Sequence, residues 1–144
     1  MSERAPRFFL DTNIFIYSFD SRSGSKQKRA SELVDTALTT HRGVISYQVV
    51  QEFLNVATRK FAEALTAGEA RVYLERVLMP LCEVFPDGRL FSQALSISSE
   101  MRISFYDALI ISSAMFGGCR ILWTEDLQHG RRVGDLEIRN PFQP

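Results

Sequence analysis

Residues 8–13, Phe8-Phe9-Leu10-Asp11-Thr12-Asn13, run three apolar residues straight into an acid, a hydroxyl and an amide. A short apolar run bounded by polar residues reads as a strand. Asp11 then stands at the strand's carboxyl end. There it either caps a helix starting at Ile14 or carries chemistry. Similar runs recur at Val44-Ile45, Val84-Phe85, Ile121-Leu122-Trp123 and Leu136-Glu137-Ile138. Stretches of helical period separate them. Ala30, Leu33, Val34, Ala37 and Leu38 share a face over 26–39, and Val49, Val50, Phe53, Leu54, Ala57 and Phe61 share one over 47–61. Thr66-Ala67-Gly68-Glu69 reads as a capping box opening a helix to Cys82, with Val72, Tyr73, Val77 and Leu78 as its stripe. Further helices are predicted over 87–101 and 104–116, the second stopped by Gly117-Gly118. The segment 20–25 reads as a loop. Strands separated by helices need crossover connections, so the class is α/β, with a mainly parallel sheet and helices on both faces. Chemistry in such sheets collects at the carboxyl ends of the strands.

The 144 residues make one domain over 1–144, and 45% hydrophobic with 24% charged residues excludes disorder and fibrous repeats. Seventeen basic residues cancel seventeen acidic ones, so nucleic acid would have to be held by local patches rather than by a global field. Cys82 and Cys119 are too few for a secreted disulfide framework and too far apart for a zinc knuckle. They read as reduced thiols of a cytoplasmic protein. No apolar run reaches the ~20 residues of a membrane span, and the first residues do not form a signal peptide.

Four acids fall where the topology concentrates chemistry. Asp11 and Asp126 follow strands, Glu52 lies in the first turns of the helix from Tyr47, and Asp107 lies in the first turn of the helix from Ser104. Each has a structural reading as well. Asp11 and Asp107 could be helix-terminal acids, Glu52 a solvated flank and Asp126 a turn residue. Independent caps need not gather at one sheet edge, whereas these four are expected to. Like charges held close together require a proton or a cation between them. Carboxylates without His or Cys partners suit Mg²⁺ or Mn²⁺ and phosphate chemistry.

Other candidates carry less. His41 and His129 lie in predicted loops, and Gly117-Gly118 ends a helix rather than opening a phosphate-binding one. The clusters Lys26/Lys28/Arg29 and Arg59/Lys60 read as solvated faces. Arg131 and Arg132 follow Asp126 closely enough to touch an RNA phosphate. Trp123 reads as core.

Together, Phe9-Leu10-Asp11-Thr12-Asn13, the segment Ser46 to Phe53, the segment Ser104 to Ile110 and Leu122-Trp123-Thr124-Glu125-Asp126-Leu127 resemble the PIN domain. Within that family they look like the VapC-type toxin ribonucleases of prokaryotic toxin–antitoxin pairs, almost end to end. The resemblance implies a three-layer α/β/α sandwich on a mainly parallel five-stranded sheet. It implies a divalent ion on Asp11, Glu52 and Asp107, with Asp126 completing the acidic site and Asn13 and Thr124 supporting it. The family's Thr-x-Asp spacing favours Asp126 over Glu125. The implied activity is Mg²⁺- or Mn²⁺-dependent endoribonucleolytic cleavage leaving a 5′-phosphate and a 3′-hydroxyl, which would inhibit translation and growth. The implied partners are RNA, a small antitoxin held along the helices between Tyr47 and Cys82, and a second copy in a homodimer. Apolar bulk at Phe53, Leu54, Phe61, Leu65, Tyr73 and Leu74 is expected to supply those faces. The rival is a nucleic-acid- or protein-binding module that keeps the acids for a structural cation. A haloacid-dehalogenase-type phosphatase would want a second acid where Asn13 stands, and a receiver domain an acidic pair where Leu10-Asp11 stands.

Overall fold

The structure is a computed structural model that describes residues 5–143. Its order is β1 (Phe8–Leu10), α1 (Thr12–Ser18), α2 (Gly24–Thr40), β2 (Gly43–Ser46), α3 (Tyr47–Arg59), α4 (Ala67–Tyr73), a π-helical turn (Leu74–Leu78) and α5 (Met79–Leu81). It continues with β3 (Cys82–Val84), α6 (Gly88–Met101), α7 (Phe105–Phe116), β4 (Ile121–Trp123), β5 (Arg132–Val133) and β6 (Leu136–Arg139). The sheet order is β3-β2-β1-β4-β6-β5, parallel throughout except for β5 against β6. β1 and β4 are therefore central. The chain turns one way from β1 to β2 and β3, then returns to place β4 on the other side. The crevice between the ends of β1 and β4 is the point at which such sheets hold ligands.

The expected five strands are present, the third shifted to Cys82–Val84 with Phe85 outside it, and β5 adds a short sixth. It forms an antiparallel hairpin with β6 through Gly134, whose φ of +58° suits a residue without a side chain. Both faces of β1 and β2 are buried, which explains their unbroken apolar runs. Gly43 faces α2 so closely that a Cβ there would lie 2.2 Å from that of Ala37. Val44 and Val84 face the other way, toward Gly117 at the end of α7. Helices thus cover both sides: α2 with α1 and α3 beside it, and α7 with α6 against it. Together with the sheet they make an α/β/α sandwich.

Two helices depart from the sequence reading. Helix α1 begins at Thr12 rather than Ile14. The helix opened by Thr66 and Glu69 has its capping box, with bonds of 3.1 and 3.0 Å, but widens into a π-helical turn before Pro80. Proline supplies no N–H and crowds the preceding turn, which the wider turn accommodates. The change of register leaves Val72 exposed while Leu78 stays buried. In the apolar bulk of 47–82, Leu54, Phe61, Leu65, Tyr73 and Leu74 are half-buried against the core. Phe53 is fully buried, with Phe19, Phe61 and Tyr73 at ring-centroid distances of 5.7, 6.1 and 5.0 Å. Cys82 and Cys119 are free and buried, and burial pushes the Cys119 thiol up to about 12, so it remains protonated.

Candidate active site

The backbone carries Asp11 out of β1 beside β4, its N–H still donating to the Trp123 carbonyl at 3.1 Å. Asp11 is the N-cap of α1, but its Oδ1 accepts the adjacent Thr12 N–H at 2.7 Å. Its Oδ2 accepts the Thr124 hydroxyl at 2.8 Å. Only 7% of Asp11 is exposed. Burial pushes its carboxyl up to about 7. The Thr124 and Thr12 hydrogen bonds oppose that rise, and the charges of Asp126 and Glu52 add to it. Among the described residues no Lys, Arg or His forms an ion pair with Asp11. A buried carboxylate facing two others without a counter-charge is costly, and protonation is its escape.

The neighbours are tied together by polar bonds. Asn13 Nδ2 donates to Asp126 Oδ2 at 3.1 Å and to the Thr124 hydroxyl at 3.4 Å. The Asp126 backbone N–H also donates to the Thr124 hydroxyl, at 3.1 Å. Across the crevice, the Thr12 hydroxyl donates to Glu52 Oε2 at 2.8 Å. Gln48, one turn earlier on α3, donates to Glu52 Oε1 at 2.9 Å and to the Tyr106 carbonyl at 3.5 Å. The N-terminus of α7 is thereby drawn beside Glu52. Asp107 follows Tyr106 and is half-buried, with its N–H on the Ser104 hydroxyl at 3.1 Å. Among the described residues its carboxylate accepts no hydrogen bond.

Asp11, Asn13, Thr124 and Asp126 therefore form one bonded group, and Glu52 joins it through Thr12. Asp107 stands next to the group without a bond to it. Among the described residues no three His, Cys, Asp or Glu side chains are placed to hold one metal ion jointly. The donor chemistry nonetheless suits a hard cation. Every ligating candidate is an oxygen, and Asn13 Oδ1 and Gln48 Oε1 are buried acceptors that receive no donor. Asp126 is exposed and can turn.

Glu125 lies elsewhere. It accepts the Tyr17 hydroxyl at 3.0 Å and pairs with Lys26 Nζ at 3.0 Å. Lys26 also lies 4.7 Å above the Tyr17 ring. Arg131 and Arg132 are exposed at the hairpin and form no ion pair among the described residues. His129 Nδ1 accepts the Asn140 backbone N–H at 2.9 Å and so fastens the segment after β6. The sequence reading missed Thr12 and Gln48. A hydroxyl directly after the strand-end acid and an amide four residues before Glu52 were the available signals.

The model of the PIN domain matches residues 8–134, and the chain belongs to that family. The fold is shared with solved toxin proteins at low identity. A toxin–antitoxin complex from Klebsiella pneumoniae matches with a TM-score of 0.65 at 16% identity, covering 94% of this chain and 98% of that one. A DNA-bound VapBC from Salmonella typhimurium matches with a TM-score of 0.65 at 20% identity, covering 95% and 99%. A sarcin–ricin loop cleaving toxin from Mycobacterium tuberculosis matches with a TM-score of 0.52 at 18% identity, covering 80% and 86%. Comparison with curated proteins gives no match.

Proposed function

We propose that this PIN-domain chain is a Mg²⁺- or Mn²⁺-dependent endoribonuclease and the VapC-type toxin of a toxin–antitoxin pair, acting in the cytoplasm to inhibit translation. The observation that carries the reading is Asp11, a buried carboxylate at the central strand ends with two acidic neighbours and, among the described residues, no ion-pair partner. Asp11, Glu52, Asp107 and Asp126 would hold the ion. Asn13 and Thr124 orient Asp126 and Asp11 through the bonds described. A bound divalent ion supplies charge against the developing negative charge of the phosphodiester and acidifies water. The chain's own part is to keep Asp11 fixed by two donors and to shield it from bulk solvent. Arg131 and Arg132, exposed and without an ion pair among the described residues, would steer the RNA backbone.

The partner proposals draw support from the relatives, which include a toxin–antitoxin complex and VapBC bound to DNA. A groove of about 620 Å³ runs between the α1–α2 loop, the end of α3 and residues 61–65. It pairs Phe19, Val56 and Leu65 with Lys60 and Glu63, a mixture suited to an amphipathic antitoxin helix. Pairing with a second copy is proposed as well, with part of the half-buried apolar side chains Leu54, Phe61, Leu65, Tyr73 and Leu74 as its face. No helix among the described residues is long and apolar enough to cross a membrane.

Purified chain should cleave single-stranded RNA in Mn²⁺ and lose that activity in EDTA. A rise in melting temperature with Mn²⁺ but no cleavage of any RNA would instead establish the binding module with a structural cation.

A further inference from the structure

Next to the acids lies a cavity of a different character. It measures about 250 Å³ and opens between the start of α3, the end of β3 and the N-termini of α6 and α7. Tyr47, Phe91, Phe105 and Tyr106 form its walls, and Gln48 and Gln51 bring amides to it. No residue lining it is charged. Three of the aromatic rings face solvent, with Tyr47 44%, Phe91 40% and Tyr106 68% exposed. Phe105 stands 6.3 Å from Phe91 and 5.8 Å from Tyr106, and Tyr47 stands 6.2 Å from Phe85. Exposed aromatic rings around a concave surface are the feature on which unpaired bases stack.

The cavity adjoins the acids through Gln48. Gln48 lines it while donating to Glu52, and its Oε1 is buried and accepts nothing. Tyr106 immediately precedes Asp107 and offers its carbonyl to Gln48. The two helices that bring Glu52 and Asp107 to the site therefore also carry Tyr47, Phe105 and Tyr106 of the cavity wall, within about a turn and a half of those acids. A phosphate would find no cation there. A flat, neutral group with donors and acceptors on its edge would find rings to stack on and two amides able to pair with it.

We propose that this cavity is a nucleobase subsite, which takes one unpaired base of single-stranded RNA next to the scissile phosphate, with Tyr47 and Tyr106 as stacking rings and Gln51 as an edge reader. The subsite rests on the ribonuclease reading above and adds to it where specificity is set. Sequence preference then resides at one nucleotide, in rings and amides that lie outside the acidic group.

The test uses fluorescein-labelled 12-mers of oligo(A), oligo(U) and oligo(C), with binding read by anisotropy in EDTA and cleavage read separately in Mn²⁺. Tyr106→Ala and Tyr47→Ala, both at exposed rings, should fold as wild type by circular dichroism. Each should weaken binding of the preferred oligomer by about fivefold or more, the usual worth of one stacked base. Gln51→Ala should narrow the difference between oligomers. Moving a single abasic nucleotide along the preferred 12-mer should reveal one position, at a fixed distance from the cut, where wild type loses affinity and Tyr106→Ala loses no more. Uniform tolerance of the abasic nucleotide, or unchanged binding in both tyrosine variants while wild type still cleaves, overturns the subsite and leaves the nuclease reading intact. A dimer by light scattering that dissociates in Tyr106→Ala, with RNA binding unchanged, assigns the cavity to a second copy instead. Absence of both RNA binding and cleavage in wild type overturns the subsite and the nuclease reading together.

Discussion

Asp11 and Asp107 begin from the same local chemistry and end in different places. Each is an acid at the start of a helix, favoured there by free N–H groups and the helix dipole. Asp107 stays half-exposed, with the Ser104 hydroxyl receiving its N–H. Asp11 is carried by a central strand into the interior, where burial, together with its acidic neighbours, lifts its carboxyl to about 7. A helix-start acid is inexpensive at the surface and costly at a topological switch point. The fold tolerates Asp11 there because Thr12 and Thr124 donate to both of its oxygens. The local motif is shared, and tertiary position sets the chemistry.

The comparison breaks first on catalysis. Asp11→Asn and Asp107→Asn should each lower Mn²⁺-dependent cleavage by about 10²-fold or more, since electrostatic stabilisation supplies much of such catalysis. Asn is also a competent cap, so near-wild-type cleavage by folded Asp107→Asn would reduce Asp107 to a helix-terminal acid.

Stability sharpens the contrast. The folded protein holds the Asp11 proton more tightly than the unfolded chain does, about 7 against 3.8. Its contribution to stability is full below pH 4 and is lost as pH rises through 7. The metal-free protein should therefore lose about 2–4 kcal/mol over that range. Asp11→Asn should flatten the slope and melt higher than wild type at pH 8 in EDTA. Asp107→Asn should leave the slope as it is. Mn²⁺ at a hundredfold excess over Kd should stabilise wild type by about 2.7 kcal/mol, and Asp11→Asn by clearly less. Equal metal-induced shifts in both would separate Asp11 from any cation site.

These contrasts also mark where the sequence is legible. The central strands are readable because β1 is buried on both faces and β4 on one with the other half-buried, so Phe8-Phe9-Leu10 and Ile121-Leu122-Trp123 carry no polar interruption. Asp11 and Asp126 are readable because a strand end fixes their place. β5 is not, since Arg132-Val133 gains strand character only by pairing with β6 across Gly134. Helices α2 and α6 end at His41 and Arg102, both in the left-handed region without the glycine that usually marks such a stop. The π-helical turn is hidden for a related reason: its cause, Pro80, lies beyond the turn it widens. Gln48 and Lys26 escape because their partners are fixed by tertiary approach. Lys26 meets Glu125 across 99 positions of sequence.

The smallest expected effect lies in that last contact, between two adjacent acids. Glu125 is held by Tyr17 and Lys26, whereas Asp126 is held by Asn13 and opens to solvent beside Asp11. Glu125→Gln keeps an oxygen for the Tyr17 hydroxyl and loses only the pairing with a partly exposed lysine, an interaction that water screens. Its melting temperature should match wild type, and cleavage should stay within about twofold. Asp126→Asn keeps the contact with Asn13 but removes one negative charge from the acidic group, so cleavage should fall about tenfold. The fall should be smaller than for Asp11 because Asp126 is exposed and water can take part of its role. Paired assays on the two variants decide the matter. If Glu125→Gln proves the more damaging while folding normally, the fourth acid of the site is Glu125, and the contact with Lys26 must open before RNA is cut.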